Sequence, residues 1–396
     1  MVAVVATMAA TAMAGGLMTN TNYHIAFDRM MARGATFDID AAYSNPAGLA
    51  WGHEGFQLSL NFQKPWQHRD IELTSNGQKT LYEGKASAPI VPALFASYKK
   101  DRWAVSTMIG IVGSGGFVEY KQGVPMFNVL LQSMLATNGI TPDTYTLDSE
   151  MKGKQYIYGG QVNFTYKILD CFSAAVGIRA NYYDGYYRGH VKALNHPMFG
   201  DVAKLLLDVD QKGWGFTPMV SVNYHQGPLT LTARYEFRTK LNPKNETNIL
   251  DAGLGAKVVE YMVKTDPNAQ AKLAALQAQL SAYTAPYEDG AHTRYDMPAL
   301  LSVAAGYEFT PKLRATLEYH FYDDKNAKMA NDRQKELKHG THEFLAGVEY
   351  DINEQVRLNA GYFISLYSNY DKQAAYGLET YSRTNNVIGI GLDWKF

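Results

Sequence analysis

The stretch FQLSLNFQK, residues 56–64, alternates apolar and polar side chains. Its apolar members fall on one face of an extended chain, and they are Phe56, Leu58, Leu60 and Phe62. A period of two is the pattern that a half-buried β-strand imposes. The same alternation recurs at 229–238 and 313–322. It is the dominant signal from residue 55 to the end of the chain.

Twelve segments carry this pattern, near 56–64, 90–99, 103–111, 154–166, 171–184, 213–225, 228–239, 299–309, 313–323, 341–351, 355–367 and 384–396. Five very short connections, at 100–102, 167–170, 226–227, 310–312 and 352–354, alternate strictly with six long ones. An even strand count with short turns on one side and long loops on the other is typical of an outer-membrane barrel. The sequence therefore predicts an all-β fold, a transmembrane antiparallel β-barrel.

Composition agrees with a barrel and excludes several other classes. The 396 residues hold 37 Lys+Arg against 38 Asp+Glu, which leaves no basic field for nucleic acid. The single Cys171 excludes a disulfide framework and a Cys-built zinc site. A soluble β-sandwich also alternates, but its loops are not sorted by length. Aromatic residues at strand ends suit interfacial girdles, and they include Tyr156, Tyr166, Tyr182, Trp214, Tyr224, Tyr307, Tyr319 and Tyr350.

The first 52 residues lack the alternation and divide into two parts. The run VAVVATMAATAMA ends in a small-x-small motif at residues 12–14, so residues 1–14 are interpreted as a signal peptide whose usual basic start is missing. An N-terminal helix of the fold is the alternative. Residues 15–52 mix apolar and polar side chains and predict a plug, or hatch, inside the lumen. Residues 53–396 then form the outer-membrane barrel.

The last segment places five apolar side chains on one face: Ile388, Ile390, Leu392, Trp394 and Phe396. A terminal Phe396 that closes an amphipathic strand looks like the signal read by the outer-membrane assembly machinery. We therefore expect the outer-membrane assembly machinery and the surrounding outer-membrane lipid as partners, and we expect no binding of nucleic acid. The expected location is the outer membrane of a Gram-negative bacterium.

Asn45, Pro46 and Ala47, followed by Gly48 and Leu49, stand just before the first strand. In this position the chain resembles the FadL-type long-chain fatty acid and hydrocarbon transporters of Gram-negative outer membranes. The resemblance implies a hatch in the lumen and hydrophobic substrates that extracellular loops capture. It also implies lateral release through a kinked third strand. That family typically has fourteen strands rather than twelve, so the stretches 67–74 and 78–86 are candidates for one further hairpin.

The third predicted strand runs into Gly110, Gly113, Ser114, Gly115 and Gly116. Glycine tolerates the backbone angles of a kinked or bulged strand. We expect a lateral opening at Gly113, Gly115 and Gly116. The alternative is an ordinary glycine-rich start to the long loop 112–153.

Three loop stretches are apolar with helical spacing: 124–135, 198–206 and 268–283. Exposed apolar patches usually mark binding surfaces, although such helices can also pack on each other as a cap. A carboxylate entering an apolar pocket would need a cation, which Arg188 among the tyrosines near it could supply. The candidate ligand-binding residues are Phe127, Leu131, Leu205, Leu206, Tyr186 and Arg188.

Catalytic constellations, cofactor motifs and paired-His metal spacing are absent from the sequence. We therefore predict no enzyme activity, no cofactor and no metal site, and uptake of hydrophobic compounds such as long-chain fatty acids. Two alternatives stay open: an outer-membrane lipid hydrolase, which needs a Ser close to a His, and a non-transporting barrel that serves as an adhesin or structural anchor.

Overall fold

The structure is a computed structural model. It describes residues 24–394 except 65, 69, 76–77, 89, 330–333, 336, 338, 369, 375–376 and 382–383. The predicted signal peptide, the first part of the predicted plug (15–23) and the terminal Phe396 lie outside these residues.

β-Strands make up most of the described chain. In order they are β1 (Gly55–Gln63), β2 (Trp66–His68), β3 (Ile71–Ser75), β4 (Gln78–Tyr82), β5 (Lys85–Ser87), β6 (Val91–Lys100), β7 (Trp103–Tyr120), β8 (Thr146–Leu169), β9 (Phe172–Leu194), β10 (Ala203–Gln226), β11 (Leu229–Glu236), β12 (Lys244–Leu254), β13 (Leu300–Thr310), β14 (Leu313–Tyr322), β15 (Thr341–Asp351), β16 (Val356–Leu366), β17 (Tyr370–Ala374), β18 (Gly377–Tyr381) and β19 (Thr384–Trp394).

Helices are confined to the N-terminal segment and the long loops. They are α1 (Ile25–Arg29), α2 (Ala41–Ser44), α3 (Pro125–Thr137), α4 (Ala256–Thr265) and α5 (Ala269–Thr284), with a 3-10 helix at Pro46–Trp51 and shorter ones in the loops. Among the described residues, every helix is too short or too polar to cross a bilayer.

Twelve strands pair antiparallel in one path, in the order β1-β6-β7-β8-β9-β10-β11-β13-β14-β15-β16-β19. They coincide with the twelve segments predicted from alternation, and the five short connections fall where expected. We call the end of the sheet that carries these short connections the lower end, and the end that carries the long loops the upper end.

The stretches suggested as an extra wall hairpin do pair, as β3 and β4. The β3–β4 hairpin belongs to a separate four-stranded sheet, β17-β18-β3-β4, built from two long loops. The outer ends of the two stretches pair as β2 and β5, and β5 joins the wall sheet beside its continuous path by pairing with β7. The described path of the wall therefore contains twelve strands, and this hairpin adds no further pair to it.

Three central strands are much longer than predicted. β8, β9 and β10 have 24, 23 and 24 residues, whereas a tilted strand crosses a bilayer in about 9–11. Much of what the sequence analysis assigned to the long loops 112–153 and 185–212 is thus strand. The helix predicted at 198–206 is absent, because β10 begins at Ala203 and is paired from that residue with β9 on one side and β12 on the other.

Aromatic residues mark where these strands leave the apolar zone. Tyr158, Tyr182 and Trp214 are direct cross-strand neighbours on β8, β9 and β10, and the rings of Tyr182 and Trp214 lie 4.8 Å apart. Below this row the outward side chains are mostly apolar, and above it most of them are charged. The row has the position of an interfacial girdle. Tyr156, also predicted for the girdle, is instead buried, at the place where β8 pairs with an irregular stretch of β7.

Residues 24–52 form a plug that the sheet surrounds. His24 contacts Ser59 on β1, at one edge of the path, over 3.0 Å. Arg29 donates to Asp393 on β19, at the other edge, over 2.9 Å. α1 packs against both edge strands, although its five residues span only about 7.5 Å. Because so short a helix reaches both edges, the sheet must curl around the plug into a barrel.

Glycines on the inner face of the wall allow the plug backbone to approach closely. A Cβ added to Gly389 on β19 would lie 1.9 Å from the carbonyl oxygen of Asp28, and one added to Gly361 on β16 would lie 2.6 Å from the amide nitrogen of Met31. We call this surface the glycine seat. Because these wall residues have no side chain, the backbone of α1 and of the residues after it can lie directly against the sheet.

Replacing Gly389 with Val should displace the plug from the glycine seat. Overpacking of this kind costs about 1–3 kcal/mol, so the open fraction and the conductance in planar lipid bilayers should rise. Gly160→Val is the matched control, because a Cβ there meets nothing within 4 Å. Equal conductance of the two variants, with both barrels folded on gels, would contradict this role of the glycine seat.

Candidate functional site

The turn at Asn45–Ala47 is held at the lower end of the lumen. The amide of Ala47 donates to Ser221 Oγ over 3.0 Å, and its carbonyl accepts from Ser173 Oγ over 2.7 Å. The carbonyl of Pro46 accepts from Thr165 Oγ1 over 2.8 Å. Hydroxyls on β10, β9 and β8 thereby bind the backbone of the Asn-Pro-Ala turn, close to two of the short connections.

The side chain of Asn45 makes hydrogen bonds both within the plug and to the wall. Its side-chain amide donates to the carbonyl of Gly34 over 3.1 Å and to Asn223 Oδ1 over 3.3 Å. The aromatic rings of Phe37, Trp51 and His225 pack together nearby, with centroids 5.0–5.8 Å apart. This end of the lumen is filled by the plug. That the Asn-Pro-Ala turn acts as a functional motif stays a prediction.

A buried ion pair fixes the middle of the plug. The guanidinium of Arg33 donates to both carboxylate oxygens of Asp40, over 2.7 and 2.8 Å. Arg33 is 2% exposed and Asp40 is 0% exposed. A bidentate pair of this kind satisfies its charges only while both partners are present.

The wall contributes two further charged clusters that touch the plug. In the first, Arg179 and Arg234 share Glu236 over 2.5 and 2.9 Å, and Arg234 also donates to the carbonyl oxygen of Tyr43. Both guanidiniums lie over the ring of Tyr43, at 5.7 and 5.4 Å. Arg179 therefore lies on the lumen face.

In the second cluster, His320 lies between two carboxylates. Its Nε2 is 2.5 Å from Glu318 and its Nδ1 is 3.1 Å from Glu343. Glu318 also accepts from the backbone amide of Gly34 over 2.7 Å. The wall thus holds the plug backbone through a hydrogen-bonded network that the sequence analysis did not identify, although alternation does place all three residues in register on inward faces.

β7 is irregular at the predicted lateral opening. Its pairing with β8 shifts register between Ile111 and Gly113 and again between Ser114 and Gly116, which marks two β-bulges. Gly116 has φ +66°, a conformation in which L-residues with a side chain are strained. The predicted glycines therefore lie in the bulged stretch 111–116 of the third wall strand.

The other side of β7 changes partner at the same place. Within the described residues, its ladder with β6 ends at Gly110, and its ladder with β5 begins at Phe117. Both the bulges and the change of partner weaken regular pairing at this point of the wall.

Two of the three predicted loop helices are present and pack together. α3 carries Met126, Leu130 and Met134 against Leu276, Leu280 and Tyr283 of α5. The adjacent face of α3 carries Phe127 and Leu131, which are buried in the largest apolar cluster of the described residues. The helices therefore pack on each other and on the barrel, as the capping alternative predicted. A role in ligand binding stays a prediction.

The remaining candidates separate onto two faces of the sheet. Leu205 is buried in the apolar cluster, whereas Leu206, its neighbour in a strand, points the other way. Tyr186 and Arg188 lie on the outer face, where the guanidinium lies 4.4 Å from the Tyr186 ring centroid. Arg188 is paired there with Asp208 and Asp210. Ligand binding by these six residues stays a prediction.

Four tyrosines form a buried group beneath α3. The sequence placed two of them, Tyr183 and Tyr187, near Arg188 but did not indicate Tyr287 and Tyr295. Tyr183, Tyr187, Tyr287 and Tyr295 form what we call the throat cluster. The rings of Tyr183 and Tyr295 stack at 5.7 Å, the hydroxyls of Tyr187 and Tyr295 are 3.3 Å apart, and Tyr287 packs on Tyr187 and Phe127. Burial raises the pKa of Tyr287, in its loop, well above its usual value. It therefore stays a protonated donor.

The hydrolase alternative depends on a Ser and a His in contact, and His24 does contact Ser59. The backbone amide of Ala26, however, donates to Nδ1 of His24. Burial lowers the pKa of His24, so the neutral ring carries its proton on Nε2 and donates it to Ser59. A general base needs an unprotonated nitrogen at that position. This pair is arranged to anchor the plug and does not activate a nucleophile.

The fold and this site define a plugged transmembrane β-barrel. Among solved structures, the chain resembles a FadL homologue from Pseudomonas aeruginosa with 13% identity, a TM-score of 0.60 and coverage of 96% of this chain and 100% of that chain. The toluene transporter TbuX of Ralstonia pickettii gives 11% identity, a TM-score of 0.51 and coverage of 90% and 94%. The monoaromatic hydrocarbon channel CymD gives 11%, 0.51 and 98% of both chains.

No protein-family model matches the sequence, and no curated protein matches it. At these identities the structural likeness establishes the fold. It confirms the FadL-type architecture that the resemblance around residues 45–49 predicted.

Removing one partner of the buried pair should loosen the plug. Arg33→Met leaves Asp40 buried without its cation, at a cost of about 3–5 kcal/mol, so amide hydrogen exchange across residues 33–50 should accelerate. Arg33→Met with Asp40→Asn should recover part of the protection.

Lys79→Met is the control, because it breaks an exposed pair with Glu72 that is worth at most about 1 kcal/mol. Unchanged exchange in Arg33→Met, measured by mass spectrometry, would show that this ion pair does not hold the plug.

Proposed function

We propose that this chain is an outer-membrane channel that takes up hydrophobic small molecules. Its location is the outer membrane of a Gram-negative bacterium, and its direct partners are the substrate and the surrounding lipid. Long-chain fatty acids are the substrates that the sequence resemblance suggested, and the structural neighbours TbuX and CymD are described as acting on toluene and monoaromatic hydrocarbons. Hydrophobicity is the property that these compounds share.

One observation carries the proposal: a single apolar cluster extends from the loop helices to the bulged stretch of β7. At the upper end it contains Phe127 and Leu131 of α3. At the wall it contains Ile111 and Val112, and it continues to Tyr43 of the plug. An apolar molecule gains roughly 25 cal/mol for each Å² that leaves water, so such a cluster offers a favourable route through otherwise polar surroundings.

The plug closes the alternative route. The lower end of the lumen is filled by the Asn45–Ala47 turn and the aromatic group of Phe37, Trp51 and His225. A substrate that has entered from the loops therefore meets its weakest barrier sideways, at residues 111–116. In this proposal Gly113, Gly115 and Gly116 form the lateral opening. Phe127 and Leu131 of α3 and Leu205 and Leu206 of β10 receive the substrate, with Tyr186 and Arg188 at the outer surface.

The rest of the chain serves delivery and insertion in the same proposal. Residues 1–14 direct export and are removed, residues 15–52 are the hatch, and residues 53–396 form the barrel. The C-terminal strand ending at Phe396 is the element that the assembly machinery recognises.

Replacing Gly113, Gly115 and Gly116 together with Val should block release. A side chain at the positive φ of Gly116 costs about 1–2 kcal/mol, so the bulged backbone becomes disfavoured and uptake should fall about tenfold. Uptake of radiolabelled laurate and toluene is measured in a Gram-negative host that lacks its own transporters for them.

Gly160→Val again provides the control, since it lies on the neighbouring strand with open space around it. Heat-resistant migration on gels verifies that the triple variant is folded. Full uptake by a folded triple variant would show that the substrate leaves elsewhere.

A further inference from the structure

Every buried cation of the described residues already has a carboxylate partner, while the throat cluster offers an unsatisfied hydroxyl. From this combination we propose that the throat cluster binds an uncharged apolar molecule that carries one hydrogen-bond acceptor, and that the channel discriminates against carboxylates. The inference rests on the proposed function and specifies its substrate class.

The buried cations are individually neutralised. Arg33 is engaged by Asp40 through two hydrogen bonds. Lys99 pairs with Glu54 near the lower end. Arg179 and Arg234 share Glu236 and also face the ring and carbonyl of Tyr43. A ligand carboxylate could gain a cation here only by displacing a carboxylate that is already in place.

Among the described residues, the buried charges also include no surplus of cations. The described buried residues include four cations, Arg33, Lys99, Arg179 and Arg234, against seven carboxylates, Asp40, Glu236, Asp296, Glu318, Asp324, Glu343 and Glu349. Two of these carboxylates, Asp296 and Glu349, are themselves paired with partly exposed arginines. Burying a further anion among them would add repulsion to the loss of its hydration.

The cation suggested by the sequence lies off the apolar route. Arg188 is on the outer face of β9, about half exposed, and is held by Asp208 and Asp210. The inward neighbour Tyr187 belongs to the throat cluster instead. Strand alternation therefore separates the aromatic lining from the guanidinium.

The throat cluster presents hydrogen-bonding groups without charge. The hydroxyl of Tyr287 is buried and has no hydrogen-bond partner among the described residues, and Tyr287 is 1% exposed. Its ring packs 6.3 Å from that of Tyr187 and 6.4 Å from that of Phe127. Buried donors in folded proteins are nearly always satisfied. An ester, ketone or ether oxygen reaching this point would satisfy the Tyr287 donor and leave apolar atoms against the rings.

A matched ligand series tests the inference on the full-length protein in lipid nanodiscs. Radiolabelled laurate, methyl laurate and dodecane are equilibrated with loaded and empty nanodiscs, so that partition into lipid is subtracted. Methyl laurate should bind at least about tenfold more tightly than laurate, since only laurate carries a charge that must be buried. Equal binding, or tighter binding of laurate, would overturn the inference and leave the proposed function intact. Retention of none of the three would overturn both.

Two variants examine the cause. Tyr287→Phe removes the donor and should weaken methyl laurate binding about three- to tenfold, the effect of one hydrogen bond, without changing dodecane binding. Tyr261→Phe, at an exposed tyrosine on α4, is the matched control. An equal loss for methyl laurate and dodecane in Tyr287→Phe would show that the hydroxyl does not select the acceptor.

Glu236→Gln frees the two guanidiniums from their shared carboxylate. If their neutralisation is what excludes anions, laurate should gain at least about tenfold relative to methyl laurate. An unchanged ratio in a variant that migrates as a folded barrel would contradict the charge argument.

Discussion

Backbone groups that face hydrocarbon have no water to bind, so each must find its partner within the protein. In this chain that requirement is met by twelve antiparallel strands curled around a plug. It also restricts where the wall can open. Regular strand pairing can be interrupted only where other parts of the same chain lie close. Residues 111–116 meet this condition, because the partner of β7 changes there from β6 to β5.

The plug is held by two kinds of complementarity that reinforce each other. Where the wall carries glycine, at Gly361 and Gly389, the plug backbone touches the sheet directly. Where the wall carries charge, at Arg234 and Glu318, the plug offers backbone carbonyl and amide groups. Most of these contacts involve the backbone of the plug and not its side chains. The wall therefore holds the plug through the path of its backbone more than through the identity of its residues.

The sequence predicts the twelve wall strands because inside and outside differ in polarity at every second residue. The same rule applied further along β9, from residue 184 to 194, would have placed Arg188 outside and Tyr187 inside. At 198–206 the alternation rule was harder to apply. The apolar run Leu205 to Leu207 is compatible both with the apolar face of a helix and with a strand that is covered on one face. The pairing with β9 and β12 decides for the strand. The glycine seat and the throat cluster could not be predicted, since both depend on segments far apart in sequence meeting across the lumen.

The bulged stretch of β7 lies level with the upper aromatic row, because Ile111 pairs with Tyr158. A molecule that follows the proposed route therefore leaves the barrel at the boundary of the outer leaflet. The remaining distance is crossed by diffusion through lipid. Nothing in such a passage consumes energy, so net flow runs only down the gradient of chemical potential and reverses with it. Directionality in the cell must then come from chemistry on the far side that removes the arriving compound.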